Sequence, residues 1–156
     1  EQLLSELSLL TGNTAISIRF GIIYGERSGG SAVESLANAI FAGETAQVGN
    51  KQTARRFIHV DDIVNGIIVA SIQNYSGIYD LTSPSLVSLE ELAKIAGSLC
   101  GRIGRLIEQR GEPASIRCED GYLLNFLPNF VPQVDIVTGM KLLYTKYIAS
   151  IKTQAR

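Results

Sequence analysis

The sequence predicts an α/β layered fold. Segments with apolar residues at helical spacing alternate with short β-rich runs, in the order helix, strand, helix, strand, helix, strand, helix, mixed segment, helix. Two serine–glutamate pairs at three-residue spacing, Ser31/Glu34 and Ser88/Glu91, open helices as capping boxes. Glycines follow most of the periodic runs and close them.

Leu3, Leu4, Leu7 and Leu10 stand at helical spacing, which predicts a first helix over residues 1–10 with that face packed inward. Thr11, Gly12 and Asn13 end it, and Ala15 to Phe20 reads as a buried strand interrupted by Arg19. Gly21 to Gly30 reads as a glycine-rich loop. A helix follows Ser31 and stops at Gly43, with short strands at Ala46 to Val48 and Phe57 to Val60. Asp61 or Asp62 caps the next helix, which runs to about Ile72 with a broad apolar face expected to be covered on most sides. Gly77 to Leu81 is a strand candidate. Leu89, Leu92, Ala93 and Ala96 define the inward face of the helix that Gly101 stops. Strand pieces are expected near Leu106 to Glu108 and Ile116 to Cys118, then a short helix over 119–127. Pro128 and Pro132 enclose a turn around Phe130. The last helix runs from about Ile136 to Ile151, with Leu142, Leu143 and Tyr147 inward.

The 156 residues make one domain or a piece of a larger one. A chain of this length buries roughly two-thirds of its unfolded surface, enough for a core. Charged residues are only 19% and mean hydropathy is +0.17, a sparse charge cover for a free-standing domain. Part of the surface is therefore expected to meet other protein. With 14 basic against 15 acidic residues and no basic stripe, nucleic-acid binding is disfavoured. Cys100 and Cys118 lack CxxC spacing and read as reduced thiols of a cytoplasmic protein. No apolar run is long enough to span a membrane. His59 is the single histidine and has no neighbouring ligand cluster, so no metal site is expected. A GxGxxG after the first strand, which a complete dinucleotide site needs, is missing.

Four segments in register carry a family resemblance. Arg19-Phe20-Gly21-Ile22-Ile23-Tyr24-Gly25 resembles R-x-x-N-x-Y-G, and Arg55-Arg56-Phe57-Ile58-His59-Val60-Asp61-Asp62 resembles R-D-F-I-x-V-D-D. Gly77-Ile78-Tyr79-Asp80-Leu81 resembles G-x-Y-N-x, and Val87-Ser88-Leu89-Glu90-Glu91-Leu92 resembles V-S-x-x-E-L. These are segments of the extended short-chain dehydrogenase/reductase superfamily, in its NAD-dependent epimerase/dehydratase family of nucleotide-sugar enzymes. The resemblance covers nearly the whole chain and weakens after residue 101. It implies that residues 1–156 are the carboxy-terminal portion of such an enzyme: the last elements of an NAD(P)-binding Rossmann-like fold, interleaved with the small substrate-binding domain. The chain would start just past the lysine of the catalytic Tyr-x-x-x-Lys, so both that motif and the glycine-rich fingerprint would belong to a missing amino-terminal Rossmann portion. NAD or NADP would bind the intact protein and not this chain alone. The partner molecule would be a nucleotide-diphosphate sugar, and a homo-oligomer is possible in principle.

The resemblance also implies roles. Arg55 matches the arginine that contacts the substrate diphosphate, a task suited to the rigid donor fork of a guanidinium. Arg56 replaces the usual aspartate, which leaves open which arginine points into the cleft; on a strand the two face opposite ways. Arg110 and Arg117 are candidates for a second phosphate contact. Tyr24 and Gly25 fall at the cofactor or substrate edge, where the glycine would permit a tight turn and Tyr24 could equally be a packing residue. Ile22 stands where the family has a substrate-bonding asparagine, and it can neither donate nor accept. Either the substrate is held differently or that function is lost. Glu26 replaces a common proline, and Ser28 to Ser31 read as a flexible connection or as backbone donors for an anion.

Three functions compete. One is the substrate-binding portion of an epimerase or dehydratase, catalytically incomplete alone. The second is a non-catalytic relative that binds a nucleotide or a protein. The third is a reductase of the same superfamily with a small non-sugar substrate, for which Ile22 would suit an apolar group.

Overall fold

The computed structural model describes residues 1–25, 30–115 and 123–154. It is mixed α/β. The elements are α1 (Gln2–Thr11), β1 (Ile16–Phe20), β2 (Ile22–Tyr24), α2 (Ala32–Ala42), β3 (Ala46–Val48), β4 (Ala54–Arg55), β5 (Phe57–His59), α3 (Val60–Ile72), β6 (Gly77–Leu81), β7 (Val87–Ser88), α4 (Leu89–Cys100), β8 (Leu106–Glu108) and α5 (Ile136–Gln154). The strands pair two by two: β1–β6, β2–β5 and β3–β8 are parallel, and β4–β7 is antiparallel.

Both expected capping boxes form. Ser31 accepts from the Glu34 N–H while Glu34 returns to the Ser31 N–H. Ser88 and Glu91 do the same at the start of α4, with bonds of 2.8 and 3.2 Å. Each box satisfies two helix-start donors that no helical carbonyl can reach. Gly43 and Gly101 close the two helices in the left-handed conformation.

Most of the core lies between α2, α4 and α5. Val33, Leu36, Ile40 and Phe41 of α2 meet Leu92, Ala93 and Ala96 of α4 and Met140 and Leu143 of α5, with Tyr24, Ala46 and Phe57 beneath. Phe41 lies against the rings of Tyr144 and Tyr147. A smaller cluster joins Ile58, Ile63, Ala70, Leu81 and Leu127.

Several expectations are corrected. The α1 helix forms, but Leu3, Leu4, Leu7 and Leu10 are all exposed and no α1 residue is buried, because nothing in the described chain packs on that face. The apolar face of α3 is likewise half open, with Val64, Ile67, Ile68 and Ile72 exposed. The segment expected as a continuous loop after Gly21 contains β2, which its pairing with β5 stabilises. The pairing β4–β7 has no counterpart in the sequence pattern, since two-residue strands leave no period to read. The cap of α3 is His59, whose Nδ1 accepts the Asp61 N–H at 3.3 Å, and neither aspartate caps it by side chain. Residues 123–127 are not helical: Phe126 makes a parallel bridge to Asp80. Leu142 faces outward, and Met140 takes the innermost position on α5. The strand expected at Ile116 to Cys118 lies outside the described residues.

Candidate functional site

The resemblance-bearing residues converge where β2, β4 and β5 meet. Arg55 sits in β4 opposite Val87, and Arg56 links β4 to β5. The Ile22 N–H donates to the Arg56 carbonyl at 2.8 Å, and Ile22 pairs with Phe57, so Ile22 and the two arginines are brought together. Gly21, one residue earlier, is backed by Thr82 and by the Arg56 carbonyl, which leaves no room for a side chain.

The two guanidiniums diverge, as the strand alternation requires. Arg55 donates to the carbonyls of Ala54 and Ser115 and, at 2.9 Å, to the Ser115 hydroxyl. Arg56 donates to the carbonyls of Ser83 and Pro84. Both side chains are half-buried, and neither meets a carboxylate among the described residues. Ser115 and the Ser83–Pro84 carbonyls are not legible as site elements, because backbone acceptors carry no residue signature. Ile22 is 39% exposed and presents an apolar surface beside Arg56. Arg110 lies exposed in the turn after β8. Arg117, Glu26, Ser28 and Gly29 lie outside the described residues.

Tyr24 and Gly25 are committed internally. Tyr24 is 1% exposed, donates to the Asp135 carbonyl at 3.2 Å, and stands edge-on to His59 with ring centroids 5.3 Å apart. Burial pushes its phenol well above the ordinary range, and the carboxylates of Asp135 and Asp62 add to the shift. The Gly25 N–H donates to the buried Glu34 carboxylate at 2.9 Å. At φ 147° Gly25 occupies a conformation costly for other residues, and a Cβ there would reach 2.5 Å from Val60. Local spacing marks Glu34 only as a capping residue; its second contact lies nine positions away, beyond any local pattern.

His59 is 2% exposed, and its Nδ1 accepts the Asp61 N–H at 3.3 Å and lies 3.5 Å from the Asp61 carboxylate. Nε2 has no partner among the described residues. Asp62 is buried and accepts from the N–H groups of Gln133 and Val134 at 2.9 and 3.0 Å. Its role is structural, but it fastens the approach to α5 instead of its own helix. No group of three or more His, Cys, Asp or Glu among the described residues is placed to hold a metal ion, and no described helix is long and apolar enough to cross a membrane.

A cleft of 360 Å³ lies between Ile40, Gly43, Glu44, Thr45, Arg102, Ile103 and Arg105. It opens at the amino-terminal ends of β3 and β8, whereas parallel α/β sheets take ligands at their carboxyl ends. The cluster around Ile22, Arg55 and Arg56 follows the carboxyl ends of β1 and β6 and leads into β2 and β5, and it holds the resemblance-bearing residues, which makes it the better candidate.

The fold is similar to about half of each of several solved sugar-nucleotide epimerases. The chain is similar to UDP-N-acetylglucosamine 4-epimerase from Methanobrevibacter ruminantium M1, solved with UDP-N-acetylmuramic acid, at TM-score 0.75 and 16% identity over 96% of this chain and 51% of that one. The UDP-glucose 4-epimerase of Thermus thermophilus, solved with NAD, matches at TM-score 0.73 and 17% identity, over 96% and 51%. ADP-L-glycero-D-manno-heptose-6-epimerase of Helicobacter pylori matches at TM-score 0.70 and 20% identity, over 95% and 49%. This chain spans about half the length of these solved structures. No protein-family model matches the sequence, and no curated protein does.

Proposed function

We propose that residues 1–156 are the substrate-binding portion of an NAD(P)-dependent nucleotide-sugar epimerase or dehydratase, in which the redox chemistry belongs to a Rossmann portion outside these residues. One observation carries the reading. Arg55 and Arg56 are adjacent, half-buried cations whose partners among the described residues are carbonyl and hydroxyl oxygens. Carbonyl dipoles orient a guanidinium without neutralising it, so a diphosphate arriving there supplies the missing charge. On this reading Arg55 grips phosphate, Arg56 holds the Ser83–Pro84 segment and adds long-range field, and Ile22 packs against an apolar face of the ligand. A cytoplasmic location fits a nucleotide-sugar substrate.

Titration calorimetry with UDP-glucose and dTDP-glucose tests this. Binding is expected to weaken roughly tenfold to hundredfold in Arg55→Ala, the usual worth of a charged hydrogen bond, and to weaken with added salt. Equal affinity of wild type and Arg55→Ala would sink it. A second reading rests on Ile22, exposed and unable to hydrogen-bond: a reductase for a small apolar substrate, or a non-catalytic relative that binds a nucleotide or a protein. That reading gains if Ile22→Asn creates sugar-nucleotide affinity that the wild type lacks.

A further inference from the structure

The 360 Å³ cleft beside the carboxyl ends of α2 and α4 gathers charge that nothing nearby cancels. Its charged groups come from the turns that follow two helices, not from strand ends. Gly43 and Gly101 end α2 and α4, and the turns after them lead into β3 and β8, which pair in parallel. The Ala46 N–H donates to the Arg105 carbonyl at 3.0 Å, which sets Thr45 and Arg105 side by side. The Arg102 guanidinium lies against Gly43, on the side where any other residue carries its Cβ. Glu44 lines the same space. Cationic side chains after a helix commonly serve its last carbonyls. Here the backbone already fills that role. The N–H groups of Gly43 and Glu44 engage the Ala39 and Ile40 carbonyls, and those of Gly101 and Arg102 engage the Gly97 and Ser98 carbonyls. Neither the Arg102 nor the Arg105 side chain has a hydrogen-bond or ion-pair partner among the described residues, and Glu44 reaches neither of them.

We propose that this cleft binds a phosphate group, free or carried on a small hydroxylated compound. Arg102 and Arg105 take the anionic oxygens, and Glu44 accepts from a hydroxyl of the ligand. Guanidinium forks match phosphate oxygens in geometry and in charge. A carboxylate beside a bound anion repels it unless the ligand brings a donor, because an ionised carboxylate only accepts. At neutral pH each form of inorganic phosphate keeps an O–H, whereas sulfate has none, so Glu44 separates two anions of the same shape. The cleft has the size of a small-molecule site. Ile40, 1% exposed, and Ile103, 81% exposed, give it an apolar floor and rim for the carbon of a larger ligand. None of these residues belongs to the Ile22–Arg55–Arg56 cluster, so the inference does not depend on the proposed function.

An amide-resolved NMR titration of the chain with sodium phosphate, and with sodium sulfate at matched ionic strength, tests it. Phosphate should shift the amides of Thr45, Ile103 and Arg105 along a saturable curve, and sulfate should bind at least about tenfold more weakly. Arg102→Gln and Arg105→Gln should each weaken phosphate binding about tenfold or more. Both side chains are exposed, so both variants should melt as the wild type does. Glu44→Gln, whose amide can donate as well as accept, should abolish the preference for phosphate over sulfate. Glycerol 3-phosphate binding more tightly than inorganic phosphate identifies the carried group, and the reverse order identifies the free anion. Shifts that never saturate, equal binding of sulfate (an adventitious ion only), or unchanged affinity in both arginine variants each overturn the proposal. So do shifts confined to Ile22, Arg56 and Phe57, which would put phosphate at the proposed substrate cluster instead.

Discussion

Helices α1 and α4 carry the same kind of message in sequence and meet opposite fates. Each has apolar residues at three- and four-residue spacing, and each forms over the length that spacing implies. Yet Leu92 of α4 is fully buried, whereas Leu7 of α1 is 55% exposed. Periodicity fixes which face of a helix is apolar; only the rest of the fold decides whether anything lies against it. The α2–α4–α5 layer is a closed core, whereas no residue of α1 is buried.

Four substitutions probe that contrast, from largest effect to smallest. Leu92→Ala, at the centre of the closed layer, should destabilise the chain by about 3 kcal/mol in urea unfolding. Asp62→Ala should cost about 2–4 kcal/mol by the same measurement, because the N–H groups of Gln133 and Val134 lose their buried carboxylate acceptor. Asp62→Asn, which keeps one acceptor oxygen, should recover part of the loss. Ser88→Ala should cost about 1 kcal/mol by removing the α4 capping box. The Ser88 backbone N–H, then its hydroxyl, holds the Glu91 carboxyl below its ordinary 4.5. A depressed folded-state value stabilises above pH 4.5 and is lost as pH falls through the folded-state value. Unfolding curves of wild type and Ser88→Ala should therefore draw closer on the acid side by the share of the hydroxyl bond to Glu91, while the cost of losing the Ser88 cap on the Glu91 N–H persists. Leu7→Ala should change stability by less than about 0.5 kcal/mol, as for an exposed side chain. A cost at Leu7 comparable to that at Leu92 would erase the distinction between the two regions.

Legibility follows range. The capping boxes and the glycine stops are readable because their partners lie within a few residues, whereas the strands at 46–48, 77–81 and 106–108 are readable from local composition although each pairs with a strand about sixty positions away. The α3 cap is not, because His59, Asp61 and Asp62 all suit the position, and the choice depends on Asp62 being drawn to residues more than seventy positions away. Arg55, Arg56 and Ile22 stand out through a resemblance, and the structure gathers them at one junction. Their backbone partners leave no trace in the sequence, since a carbonyl at Ser115 or Pro84 looks like any other until the chain has folded.

The Tyr24 O–H reaches a carbonyl 111 positions further along, and the ring abuts the bare backbone of Gly139 on α5. Met140 and Leu143 fill the same space. Translation at roughly 5–20 residues per second delivers α2 and α4 well before α5 leaves the ribosome. During that interval the seat for Tyr24 and Phe41 stands open. Nascent chains stalled before residue 136 should therefore bind chaperones and be cut readily by protease, and resistance should arrive abruptly once α5 emerges.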